Sequence, residues 1–179
     1  FAQEHKISLN IITTQPFLED QLQFLRSLGG SQSIILLPLE QSEVADALNQ
    51  AIRNGTRLVQ VDRTLSEVNA PSVVFDNFSG AFMATKHLLQ QHRTPVYYFG
   101  HTSPSSSLAR YSGWREAMQE FGYLEISKFL VPGFDKGNWA EAHPDQAMAI
   151  QIKLLVDFLA ERKNVKTAVF AVNDYLGRM

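Results

Sequence analysis

The chain has no cysteine in its 179 residues. Disulfide staples and thiolate metal sites are therefore excluded, although the compartment is not fixed by this. No apolar run approaches the roughly 20 residues needed to span a bilayer. An excess of positive charge is also missing. Sixteen Lys and Arg face eighteen Asp and Glu, for a net charge of −2, which offers no electrostatic footprint for nucleic acid in this segment. Neither nucleotide cradle is present, since there is no Gly-x-Gly-x-x-Gly after a strand and no Gly-x-x-x-x-Gly-Lys-Ser/Thr. The Gly-x-Ser-x-Gly nucleophile elbow is absent too. The five histidines (His5, His87, His92, His101 and His143) show no metal-ligand spacing. His92 and His101 flank one predicted strand without a carboxylate partner and read as capping or surface residues. Glu40 and Glu43 sit at a predicted helix start, where acidic side chains complement the dipole. No cofactor, metal or catalytic residue is expected.

What remains is an ordinary folded composition, 45% hydrophobic and 19% charged. Apolar runs alternate with helical patterns. Strands are predicted at residues 7–13, 33–37, 57–61, 73–75, 96–100, 129–132 and 167–172. The run at 33–37 reads as buried on both faces. Helices are predicted between them, the last a long amphipathic one over 147–159, and residues 133–143 read as polar and irregular. This β-α-β-α rhythm with short connections predicts an α/β fold with parallel sheets. The N-terminus lacks the apolar core of a signal peptide. Phe1 to Lys6 reads like the end of a helix and Asp174 to Met179 like the start of one, so the chain is expected to be the middle of a longer protein.

Two strings stand out, Val61-Asp62-Arg63 and Val172-Asn173-Asp174, each directly after a predicted strand. Polar residues at the C-terminal edge of a parallel sheet are where α/β proteins bind ligands. One such edge in each half predicts two lobes that close on a small polar molecule. Asp62, Arg63, Arg110, Trp139 and Asn173 have the chemistry of sugar binding. Carboxylate, guanidinium and amide match hydroxyls that both donate and accept, and an aromatic ring covers an apolar C–H face. The alternatives are helix capping or turn formation for Asp62 and Asn173, a solvated helix face for Arg110, and loop packing for Trp139.

The ordered set of strings resembles the effector-binding core of LacI/GalR-type transcriptional regulators, whose fold is shared with ribose-type periplasmic sugar-binding proteins. Carrying the resemblance are Ser33-Ile34-Ile35-Leu36-Leu37-Pro38-Leu39, Leu58-Val59-Gln60-Val61-Asp62-Arg63, Ser72-Val73-Val74-Phe75-Asp76-Asn77-Phe78-Ser79-Gly80-Ala81 with Ala84 and His87-Leu88-Leu89, His92-Arg93, Arg110-Tyr111-Ser112-Gly113-Trp114, and Thr167 to Asp174. It implies two Rossmann-like lobes of the type I periplasmic-binding-protein kind, residues 1–76 and 77–179, joined near Phe75 to Phe78. The family's first strand and its C-terminal strands are missing from this stretch. It points to Asp62, Arg63, Arg110, Trp139 and Asn173 as ligand-binding residues. It further implies a cytoplasmic homodimeric repressor that senses a small sugar or related metabolite and binds operator DNA through an N-terminal helix-turn-helix. Gln91 replaces the family's usual glycine before His92-Arg93, which is expected to alter the helix stop. Two rivals are weighed. A periplasmic or lipoprotein sugar-binding protein of a transporter would have a signal peptide before Phe1. An enzyme on a flavodoxin-like or Rossmann sheet would need a nucleophile, metal or phosphate loop.

Overall fold

A computed structural model describes residues 17–29, 32–131 and 144–178. The strand expected at 7–13 and the irregular stretch at 133–143, with Trp139, lie outside them. The chain divides into two compact units, Phe1–Val74 and Phe75–Met179.

In the first unit, α1 (Leu18–Ser27) is followed by β1 (Ser33–Leu36), α2 (Ser42–Arg53), β2 (Arg57–Val61) and β3 (Ser72–Val73). The three strands form one parallel sheet in the order β1-β2-β3. Apolar residues at helical spacing build the core: Leu22 and Leu25 of α1 meet Val44, Ala45 and Leu48 of α2 over Leu58 of β2. Two buried glutamines tie this core to the ends of the strands. Gln21 donates to Leu37 O at 3.1 Å and accepts from Leu39 N at 2.8 Å, holding the chain around Pro38. Gln60, 2% exposed, accepts from Leu65 N at 2.8 Å. Both satisfy backbone groups that burial would otherwise leave unpaired. The expected double burial of 33–37 is not met. The strand alternates, and Ile35 is 70% exposed, because α1 and α2 cover only the face that carries Ile34, Leu36 and Leu58.

The second unit contains α3 (Asn77–His92), β4 (Val96–Phe99), α4 (Ser105–Glu120), a 3-10 turn (Ile126–Phe129), α5 (Pro144–Ala160), β5 (Ala168–Ala171) and α6 (Asp174–Gly177). Strands β4 and β5 pair in parallel, with Val96 opposite Ala168 and Phe99 opposite Ala171. Of the strand expected at 129–132, Phe129 ends the 3-10 turn and Leu130 makes a single parallel bridge to Tyr98, while residue 132 lies outside the described residues. The strand expected at 73–75 ends at Val73. Helix α3 runs past Gln91 to His92, and Arg93 takes the left-handed cap at φ 50°, ψ 33°. The left-handed cap thus falls on a non-glycine residue, which accepts the strained conformation.

Tyr98, Phe99, Trp114, Met118 and Phe158 form the core. Trp114 is completely buried, and its Nε1 donates to Val96 O at 2.9 Å. Tyr98 stacks on Phe170, meets Trp114 at a tilt of 47°, and donates its hydroxyl to His101 O at 3.0 Å. Burial pushes its pKa far above the usual phenol range, so it serves only as a neutral donor. Helices α3 and α4 cross closely at Gly113, where a Cβ would collide with Phe78 O and lie 2.9 Å from Phe82 N. Gly113→Ala should therefore cost about 2 kcal/mol or more, since the colliding atoms are backbone and cannot turn aside. Gly80 of α3 has nothing within 4 Å of its Cβ position. Gly80→Ala should instead stabilise by about 0.8 kcal/mol through helix propensity. Urea denaturation of the two variants measures both signs.

Candidate functional site

Three segments of the second unit converge on one open cavity of about 710 Å³: the start of α3, the inner turn of α4, and the exit of β5 into α6. Its polar lining is Asp76, Asn77, Arg110, Asn173 and Asp174. Arg110 holds the three segments together. Its Nε donates to Asn77 Oδ1 at 2.8 Å, and its Nη1 donates to Val172 O at 2.8 Å. A guanidinium has five N–H donors, so two bonds commit only part of the fork. Its plane is nevertheless set, because the bonds fall on different nitrogens. Asn77 is in turn oriented by its own Nδ2, which donates to Phe75 O at 3.3 Å.

Both helices that begin at the cavity are capped by side chains of the lining. Asp76 Oδ1 accepts from Ser79 N at 3.0 Å at the start of α3. Asn173 Oδ1 accepts from Leu176 N at 2.9 Å at the start of α6. Capping and ligand binding were alternatives for Asn173 from sequence, and the cap is made. It uses only the carbonyl oxygen, so the amide nitrogen is not needed for it. The bonds to Ser79 hold the Asp76 carboxyl below its ordinary value. The cap therefore contributes fully above the ordinary carboxylate range, and its contribution is lost as pH falls through the lowered value. The stability gap between the protein and Asp76→Ala should be widest near neutrality and narrow in acid. Thermal melts across a pH series test this.

Of the residues predicted from sequence, Arg110 and Asn173 are brought together here. Asp62 and Arg63 lie at the exit of β2 in the first unit. Asp62 has φ 63°, a left-handed conformation that aspartate tolerates better than most residues. It costs about 1–3 kcal/mol and persists only where its surroundings insist. They do so here: Asp62 N donates to Val73 O at 3.0 Å, Arg63 N donates to Val61 O at 2.7 Å, and Gln60 ties down Leu65. Arg63 Nε is 3.9 Å from Asp62 Oδ2 and has no hydrogen-bond partner although that atom is buried. Trp139 lies outside the described residues. Asn77 and Phe75 were missed as site residues. The signal was within reach, since both belong to the Ser72 to Ala81 string quoted for the family resemblance.

Residues 3–176 match the family model described as periplasmic binding proteins and sugar binding domain of LacI family. The chain belongs to this family. Among curated proteins, it is 27% identical over 109 residues to the HTH-type transcriptional repressor PurR of Histophilus somni, covering 60% of this chain and 29% of that protein. Among solved structures, it is similar to the Caulobacter myo-inositol binding protein bound to myo-inositol, with a TM-score of 0.71 at 17% identity over 99% of this chain and 59% of that one. It is also similar to a LacI family transcriptional regulator from Enterococcus faecium with bound ribose, with a TM-score of 0.67 at 22% identity over 98% and 59%. At these identities the likeness is one of fold, and it is the type I fold of periplasmic binding proteins. The chain thus spans 29% of the curated relative and 59% of each of these two structures. The family is one of binding proteins and binding domains, so the expectation of a binder rather than an enzyme holds.

Proposed function

We propose that the chain is the ligand-sensing part of a LacI/GalR-type transcriptional regulator, and that its two units are the lobes of the effector-binding domain. The observation that carries this reading is the cavity in which Arg110, Asn77 and Asn173 present a guanidinium and two amides beside apolar residues, among them Ala81, Phe170 and Ala171. That set suits hydroxyls that must both donate and accept. Arg110 and Asn173 contact a small sugar or related metabolite, with Asp62 and Arg63 contributing from the other lobe and Trp139 stacking on the sugar. In the complete protein a helix-turn-helix upstream of Phe1 binds operator DNA as a cytoplasmic homodimer, in the role of a repressor. The effector acts because it binds two lobe arrangements with different affinity. The repressor among the curated relatives supports this role. No described helix is long and apolar enough to cross a membrane.

A transport sugar-binding protein is the second reading, favoured by the fold likeness to the Caulobacter protein. The sequence encoded before Phe1 separates the two: a helix-turn-helix supports the regulator and a signal peptide supports transport.

The test of ligand binding is a thermal-shift screen of the full-length protein against sugars, sugar phosphates and nucleosides. A ligand at 100 times its dissociation constant adds about 2.7 kcal/mol of stability. Arg110→Ala should remove the shift, since it deletes both the donors and the tie between three segments. A shift that survives this change excludes Arg110 from the site, and no shift with any compound counts against the sugar reading.

A further inference from the structure

We propose that Gly100 is a positioning residue of the binding cavity: its missing side chain lets Val172 close on the exit of β4, and Val172 carries the carbonyl that anchors Arg110. This rests on the sugar-binding reading and adds to it a residue that lies outside the cavity lining.

A Cβ built on Gly100 would collide with Val172 Cβ, and it would lie 2.6 Å from Val172 Cγ1 and 3.4 Å from Tyr98 Cε1. No torsion of the valine relieves this. Rotation about χ1 moves Cγ1, but Cβ is bonded directly to the main chain. One backbone or the other must therefore move by roughly an ångström to restore ordinary contact. Gly100 is not among the glycines with positive φ. An alanine there meets no conformational strain, and space alone opposes it. The crowding is local to this exit. A Cβ on Gly177, at the end of α6, would lie 3.7 Å from Ala171 Cβ, which is an ordinary contact.

The Gly100 side of this contact is held from both directions. Before it, Phe99 is paired with Ala171 in the sheet, and Phe99 O accepts from Val172 N at 3.0 Å. After it, His101 O accepts from the Tyr98 hydroxyl at 3.0 Å. Tyr98 and Phe99 are themselves buried in the core. The Val172 side gives more readily, since β5 ends at Ala171 and the short α6 follows. That side carries the site. Val172 O accepts from Arg110 Nη1 at 2.8 Å, and the next residue, Asn173, lines the cavity. A hydrogen bond of this length does not survive a shift of roughly an ångström. The bond from Nε to Asn77 does not involve Val172, so the fork would be tilted rather than released. Gly100 thus governs two polar groups of the cavity through one valine.

The experiment uses the full-length protein and isothermal titration calorimetry with D-ribose, D-glucose, D-galactose and myo-inositol. For the member that binds, Gly100→Ala should stay folded by circular dichroism and bind about tenfold more weakly than the parent. In a Val172→Gly background the same change should cost less than about twofold, because the side chain it strikes is gone. Val172→Gly lowers the melting temperature by opening the core. Recovery of affinity in a less stable protein therefore reports position rather than packing. A second measurement needs no ligand. The bond to Val172 O hinders rotation of the guanidinium, so the Arg110 Nη–H signals in the nuclear magnetic resonance spectrum should be resolved in the parent, merge in Gly100→Ala and separate again in the double variant. Parent-like affinity or parent-like guanidinium signals in Gly100→Ala, an equal loss of affinity in both backgrounds, or a Gly100→Ala protein that does not fold each overturns the proposal. If no member of the panel binds the parent, the sugar reading falls, and the guanidinium signals alone decide whether Gly100 positions Arg110.

Discussion

The close crossing of α4 over α3 at Gly113 is the constraint on which the site depends. Arg110, Gly113, Trp114 and Ala117 follow the i, i+3, i+4, i+7 spacing of one helix face. Each meets a different need on that face. Gly113 lets the two backbones approach. Trp114 and Ala117 are fully buried in the core. Arg110, one turn toward the N-terminus, is carried to the start of α3 and the exit of β5. A wider crossing would withdraw the guanidinium from both partners. The short string from Arg110 to Trp114 thus serves both the packing of the two helices and the lining of the cavity from one stripe of helix.

Most of the fold was legible because it depends on periodicity. The stripe of Val44, Leu48 and Ala51, the glycine-marked ends and the strands before Asp62 and Asn173 all follow from spacing and burial. The misplaced pieces depended on tertiary pairing. Whether the chain at Phe129 and Leu130 makes a ladder or only a single bridge is set by tertiary pairing, which the composition does not reveal. Likewise an apolar run such as 33–37 signals burial, but not on how many faces. The helix stops at Arg93 because a left-handed cap needs only one residue able to bear it, and glycine is the commonest choice rather than the sole one.

The site was less legible for a chemical reason. Asn and Asp at a strand exit serve helix caps and ligands with the same atoms, so residue type cannot separate the two uses. Asn173 shows that they need not compete, since its oxygen caps α6 and its nitrogen is left out of the cap. Asn77 was missed because its part is visible only through Arg110, which is 33 residues away in sequence. Phe75 was missed because exposure is a tertiary property, and an apolar residue inside a predicted strand reads as core.

Arg110 is held by protein groups alone, and this bears on affinity. Ordering a long flexible side chain costs about 1.5–2 kcal/mol. Where a ligand must do that ordering, the cost is subtracted from binding. Here the Asn77 carbonyl and the Val172 carbonyl fix the guanidinium during folding. Neither acceptor is charged. A carboxylate at position 77 would hold the arginine as firmly, but it would place a compensating charge beside the donors that face the cavity. Neutral anchors therefore fix the fork while leaving part of its donors uncommitted, and charge-assisted hydrogen bonds to hydroxyl oxygens exceed neutral ones in strength.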